Sequence, residues 1–262
     1  MALRSFYEAV RLATLACVWL LALSAPVLAQ VVAYPQIPGS QLSSTYSLTV
    51  NGVNIPVTYY DSSGNPIDGP PRKTGFAWFA FSGSAEVKVT VSQPISTYTL
   101  SPKRKAPQAT VSGNTLTFTM STPTKLILRN VNGLNEDLFI LADPPEINPP
   151  TLGAPGVVNL SNFGDNGTGV GNASTAIQSA LDTVSAQAGG GTVYVPPGLY
   201  NLQSSIYLRT NSHLYLAPGA ALNVTGGGCC FDSATGILVK EVSNAKITGR
   251  GVIYGQGTTW NI

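Results

Sequence analysis

Residues 163–200, FGDNGTGVGNASTAIQSALDTVSAQAGGGTVYVPPGLY, join an amphipathic helix to a strand that recurs further along the chain. Ala176, Ile177, Ala180, Leu181, Val184 and Ala188 fall at steps of three and four residues, the spacing of one apolar helix face. Asn172 and Ser174 are the candidate N-caps, and Gly189-Gly190-Gly191 is expected to stop the helix before Thr192-Val193-Tyr194-Val195 takes on strand character. Pro196-Pro197-Gly198 ends that strand.

Val193-Tyr194-Val195-Pro196-Pro197-Gly198 is echoed by Leu214-Tyr215-Leu216-Ala217-Pro218-Gly219, a step of 21 residues. A third apolar strand, Gly236-Ile237-Leu238-Val239, follows after a similar interval and is expected to continue the same series. Periods of about 20 to 25 residues with Gly and Pro corners mark a solenoid, in which each coil buries its inward side chains against its neighbours. Ile206-Tyr207-Leu208, Ala221-Leu222-Asn223-Val224 and Lys246-Ile247-Thr248 supply further strands, about three sheet faces per coil. The fold class is all-β.

Phe163-Gly164 with its Gly-rich loop, GGGTVYVPPGLY, SHLYLAPGAAL, and Asn244-Ala245-Lys246-Ile247-Thr248-Gly249-Arg250-Gly251 running into Gly255-Gln256-Gly257 and Trp260 resemble the start of a pectin-lyase-like right-handed parallel β-helix. The closing GRG, GQG and Trp pattern is most similar to the polygalacturonases of glycoside hydrolase family 28. The resemblance covers residues 157–262. It implies an N-terminal cap and the first coils of a longer β-helix, so the chain reads as C-terminally truncated, with the catalytic coils outside it.

That family implies an Asn-x-Asp motif, an Asp-Asp pair, a Gly-His-Gly and an Arg-x-Lys, and residues 157–262 contain none of them. Inverting hydrolysis needs an acid and a base about 6.5–9.5 Å apart. The carboxylates available there are Asp165 in the Gly-rich loop, Asp182 on the helix, Asp232 in a turn and Glu241 beside Lys240, each with a structural reading. Asn135-Glu136-Asp137 matches Asn-x-Asp by letter but lies in the other half of the chain. His213, the single histidine, opens a strand and reads as structural or surface. No catalytic, metal or cofactor-binding residue is assigned, and no cofactor is expected.

The N-terminal half is organised differently. Asn51-Gly52 is a hairpin-turn dipeptide between alternating strands, and further alternating runs at 79–81, 87–91, 116–120 and 125–128 read as a β-sandwich over residues 30–142. Residues 143–156, DPPEINPPTLGAPG, form a Pro-rich, semi-rigid linker. Tyr59, Tyr60, Trp78 and Tyr98 are candidates for stacking on sugar rings, with core or interdomain packing the default for Trp78.

Arg4 and Arg11 precede an apolar run at 12–23, and Val27-Leu28-Ala29 offers small residues before Gln30, the pattern of a signal peptide over 1–29. A secreted protein is expected, and four Asn-x-Ser/Thr sequons at Asn159, Asn166, Asn172 and Asn223 agree with that setting. Charged residues make up 10% of the chain, and after loss of residues 1–29 the balance is close to neutral, which gives no reason to expect nucleic acid or, after cleavage, a membrane. Lys103-Arg104-Lys105 reads as a solvated turn. Cys229 and Cys230 are neighbours whose mutual disulfide would close a distorted ring.

The expected partner is a polysaccharide, either a pectin-like polyuronate or a glucan. The leading function is the N-terminal portion of a secreted, polygalacturonase-like hydrolase, without turnover of its own. A calcium-assisted polyuronate lyase or a glucan hydrolase of the dextranase and isopullulanase kind are the enzymatic alternatives. A glycan-binding or surface-attachment protein is the non-enzymatic one.

Overall fold

The computed structural model describes residues 30–61, 73–225 and 236–255. Residues 1–29, where a signal peptide is expected, and Cys229, Cys230, Asp232, Gln256 and Trp260 lie outside the described residues, as does the side chain of Tyr60.

Twelve strands build a two-sheet sandwich: β1 (Val31–Ala33), β2 (Gln41–Leu42), β3 (Tyr46–Val50), β4 (Val53–Ile55), β5 (Val57–Asp61), β6 (Lys73–Phe81), β7 (Ala85–Val91), β8 (Thr99–Ser101), β9 (Ala109–Ser112), β10 (Thr115–Met120), β11 (Lys125–Arg129) and β12 (Glu136–Asp143). One sheet runs β2-β5-β6-β12-β11-β8, with β1 also on β6, and the other runs β4-β3-β7-β10-β9. Alternation decides the packing. In β7 the small or apolar Ala85, Val87, Val89 and Val91 face the core while Glu86 and Lys88 face water. The hairpin between β3 and β4 turns through Asn51 and Gly52, both at positive φ, and the Asn51 carboxamide ties the turn to Ser84 and Glu86.

β6 departs from this economy. Its Ala77, Phe79 and Phe81 enter the sandwich core, yet Phe76 and Trp78 on the opposite face are also large and apolar. Both faces of this sheet are therefore apolar, and the outer one requires a second cover.

The remaining strands are stacked in parallel coils. β13 (Val157–Asn159), β14 (Gly191–Val195), β17 (Ser212–Leu216) and β20 (Lys246–Gly249) form one face; β15 (Gly198–Leu202), β18 (Ala220–Val224) and β21 (Val252–Tyr254) the second; β16 (Ile206–Tyr207) and β19 (Ile237–Leu238) the third. Val158, Val193, Leu214 and Ile247 fall in one column, so the 21-residue step seen in the sequence is the coil register itself. Gly236-Ile237-Leu238-Val239 does not continue that column. Ile237 and Leu238 pair with Ile206 and Tyr207 on the third face, and the column resumes only at Ile247, because the connection after β18 lengthens the second coil.

Helix α1 (Ser174–Ser185) closes the open end of the first coil, burying Ala176, Ile177, Ala180, Leu181 and Val184 against Val193, Leu202, Ile206 and Leu214. It stops at Ser185, short of the triple glycine. The Asn172 carboxamide oxygen accepts from the Ser174 amide, whereas the Ser174 hydroxyl is spent on Ser204 and on the Gln203 amide. Gly190 explains the Gly run: at φ +80 its missing Cβ would sit 2.1 Å from the Asn211 carbonyl, whereas Gly189, at φ +86, faces open space. Gly189→Ala should therefore cost only the left-handed backbone term, about 1–2 kcal/mol. Gly190→Ala should cost at least about 2 kcal/mol more from the clash, as read by urea denaturation.

Candidate functional site

The second cover for the sandwich is the β-helix. Asp143, the last residue of β12, is the centre of the junction. Its Oδ2 accepts from the Trp78 indole N–H at 2.7 Å and lies 3.2 Å from Arg250 Nη1, while its Oδ1 pairs with Lys125. Arg250 also donates to the Pro144 carbonyl at 2.8 Å. Three residues on, Glu146 accepts from the Tyr215 hydroxyl at 3.0 Å.

The linker thus lies along the outer face of β17. Leu214 and Leu216 point into the coils, and the outward His213 and Tyr215 are covered as well, leaving them 8% and 3% exposed. His213 stands between coils, with Nδ1 3.1 Å from the Thr192 hydroxyl and Nε2 2.6 Å from the Thr248 hydroxyl. Burial, reinforced by Lys246, pushes its pKa down to about 4. It is a neutral strut. Tyr215, buried and beside the Glu146 carboxylate, has its hydroxyl pKa pushed up for the same reason of lost solvation.

Around this junction lies a groove of about 710 Å³. One wall is the outer sheet face of the sandwich, with Thr58, Phe76, Trp78 and Leu141; Tyr59 borders the groove along β5, but its register with Gly75 turns its ring to the opposite face. The facing wall is the second face of the coils, where Leu199, Ala221 and Val252 form one column and Asn223 and Tyr254 belong to the next. The segment from Tyr34 to Gln41 closes one side. Tyr34 meets Trp78 edge-on at 5.0 Å, and Pro35 fills the space above Gly219. Below Asn223 its neighbours are in series: Asn223 donates to Asn201 at 2.9 Å and Asn201 to the Gly169 carbonyl at 2.7 Å.

Of the sugar-stacking candidates, Trp78 faces this groove, whereas Tyr59 borders it only along β5, with its ring on the other face of the sheet. Tyr98 is elsewhere, half-buried against the sandwich core with its hydroxyl near the Ala109 carbonyl. Phe76, Tyr34, Asn223 and Tyr254 were not singled out as contact residues. Phe76 and Trp78 alternating with core residues on one strand is the signal for a sheet covered on both sides, and Asn201 with Asn223, one coil apart, is a periodic one.

The described carboxylates of the coils stand singly. Asp165 Oδ1 accepts from the Gly167 amide, Asp182 is held by Arg209 and Gln178, and Glu241 is exposed at a left-handed turn. Glu136 and Asp137 are buried in the sandwich, the first accepting from Ser43 and the second paired with Arg129 at 3.1 Å. Lys103, Arg104 and Lys105 occupy an exposed turn. The Gly249-Arg250-Gly251 motif is structural here: a Cβ at Gly249 or Gly251 would meet Leu216 at 2.0 or 2.6 Å, and Arg250 holds the linker. Among the described residues no cluster of three or more His, Cys, Asp or Glu is arranged to hold a metal, and no helix is long and apolar enough to cross a membrane.

Three in-register parallel faces around an apolar core make the coils a parallel β-helix, and this fold class agrees with the pectin-lyase-like resemblance seen in the sequence. Residues 157–254 match the family described as rhamnogalacturonase A/epimerase, pectate lyase-like. Mannuronan C5-epimerase AlgE6 of Azotobacter vinelandii is 38% identical over 85 residues, covering 26% of this chain and 10% of the epimerase. Plasmin and fibronectin-binding protein A of Streptococcus pneumoniae is 32% identical over 65 residues, 25% of this chain and 9% of that protein. Among solved structures, Dex49A from Penicillium minioluteum overlaps 84% of this chain and 47% of its own at 16% identity, with a TM-score of 0.44. The family 28 exopolygalacturonase of Yersinia enterocolitica overlaps 86% and 38% at 15% identity, with a TM-score of 0.31. The chain spans about a tenth of these curated relatives and less than half of these structures.

Two outcomes are expected. Asp143→Ala strands Arg250 and the Trp78 indole, which should cost about 3 kcal/mol and speed thermolysin cleavage at the exposed Ile147 of the linker. For His213, the folded value lies below the ordinary 6.5, so the unfolded chain binds more protons. Its contribution is intact above about pH 6.5 and falls as the pH drops toward 4. The urea midpoint should therefore decline over that window more steeply in the parent than in His213→Asn.

Proposed function

We propose that this chain is the glycan-holding N-terminal portion of a secreted, polysaccharide-acting β-helix protein. The groove carries the reading: partly exposed aromatic rings on the sandwich sheet face the stacked columns of the coils across a cleft lined by both domains. Aromatic faces pack against the C–H faces of sugar rings, and carboxamides and hydroxyls at the margin suit their hydroxyl groups. The family matched by the coils is described by enzymes that act on polysaccharides.

The reaction class that fits this setting is acid/base hydrolysis with inversion, which places one carboxylic acid and one carboxylate about 6.5–9.5 Å apart. Asp165, Asp182 and Glu241 are each engaged or placed separately, so acid and base are assigned to no residue of this chain. Polygalacturonase-like and dextranase-like forms of the reading share this chemistry and differ in the charge of the substrate. The purified chain should migrate more slowly in native gels containing polysaccharide while releasing no reducing ends. Unretarded migration in gels of both acidic and neutral polysaccharides would overturn the reading.

A further inference from the structure

We infer that the groove between sandwich and coils takes an uncharged glycan and selects against polyuronate; this rests on the reading of the groove as a glycan site and deepens it. A polyuronate carries a carboxylate on every ring, and burying it against apolar walls without a cation is strongly unfavourable. No Lys, Arg or His lines the groove among the described residues.

The cations nearby are already committed. Arg250, beside Tyr34, is held by Asp143 and the Pro144 carbonyl, and Lys125 is paired with the same carboxylate. Lys73 lies over the Tyr59 ring, 5.5 Å from its centroid, on the sheet face turned away from Phe76 and Trp78. Releasing any of them to a substrate carboxylate would cost the contact it now makes.

What the groove offers instead is neutral. The rings of Phe76 and Tyr254 are half-buried and exposed, Tyr254 at 41%, and they provide apolar faces on both walls. Asn223 adds a carboxamide, which is oriented by Asn201. The volume of about 710 Å³ falls within the ~300–1,000 Å³ of ordinary ligand sites.

The test is calorimetric titration of the full chain with uncharged heptasaccharides of glucose, galactose and mannose, and with oligogalacturonate of the same length. At least one neutral oligosaccharide should bind, with an affinity unchanged between about 0.01 M and about 1 M salt, where charge pairing would be lost. Tyr254→Ala and Phe76→Ala, each verified as folded by its thermal transition, should weaken that binding roughly threefold to tenfold. Binding of oligogalacturonate alone, weakened by the same substitutions, would overturn the neutral selectivity while leaving the groove a glycan site. Binding of none of the probes, or binding indifferent to both substitutions, would overturn the glycan site itself.

Discussion

The Asp143 carboxylate is the polar centre of the contact between the two halves of this molecule. Asp143 closes the last strand of the sandwich and simultaneously receives the indole of Trp78, the ammonium of Lys125 and the guanidinium of Arg250, which comes from the corner after β20, the fourth strand of the first face. A charge placed among three donors in a largely desolvated position holds its neighbours to one geometry, because moving any of them leaves a polar group unpaired. The linker that follows is consequently directed along β17, and that path covers Tyr215. The groove inherits its shape from the same constraint, since Trp78 belongs to both the clamp and the wall.

Coil geometry is the second determinant. Parallel stacking requires each residue to sit above its counterpart, so columns rather than individual positions carry the packing: Val193 on Leu214 on Ile247 inside, Asn201 below Asn223 outside. Corners, by contrast, accept length changes as long as the next strand returns to register. The second coil uses that freedom.

Much of this was legible in the sequence, for identifiable reasons. The helix face and the 21-residue echo are local or periodic, and both map directly onto the capping helix and the coil register. The placement of Ile237-Leu238 was misread because an interval alone cannot reveal which face a strand joins when one coil is longer than its predecessor. β15 went unrecognised as a strand: Gly198-Leu199-Tyr200-Asn201-Leu202 follows two prolines and reads as a turn, and only the coil beneath and above makes it a strand. The site was less legible still. Its walls come from positions more than a hundred residues apart, and Arg250, part of a motif that suggests enzymatic kinship, is spent on joining domains.

β17 has a consequence of its own. All five of its residues are buried, with coil core on one side and linker on the other, and its backbone is bonded to strands above and below. Its amides meet solvent only when the coils part, which makes this strand a strongly protected segment and a mechanical keel for the coils. Force applied across the two domains would thus be borne first by the short polar seam around Asp143, and the keel would stay intact after that seam had opened.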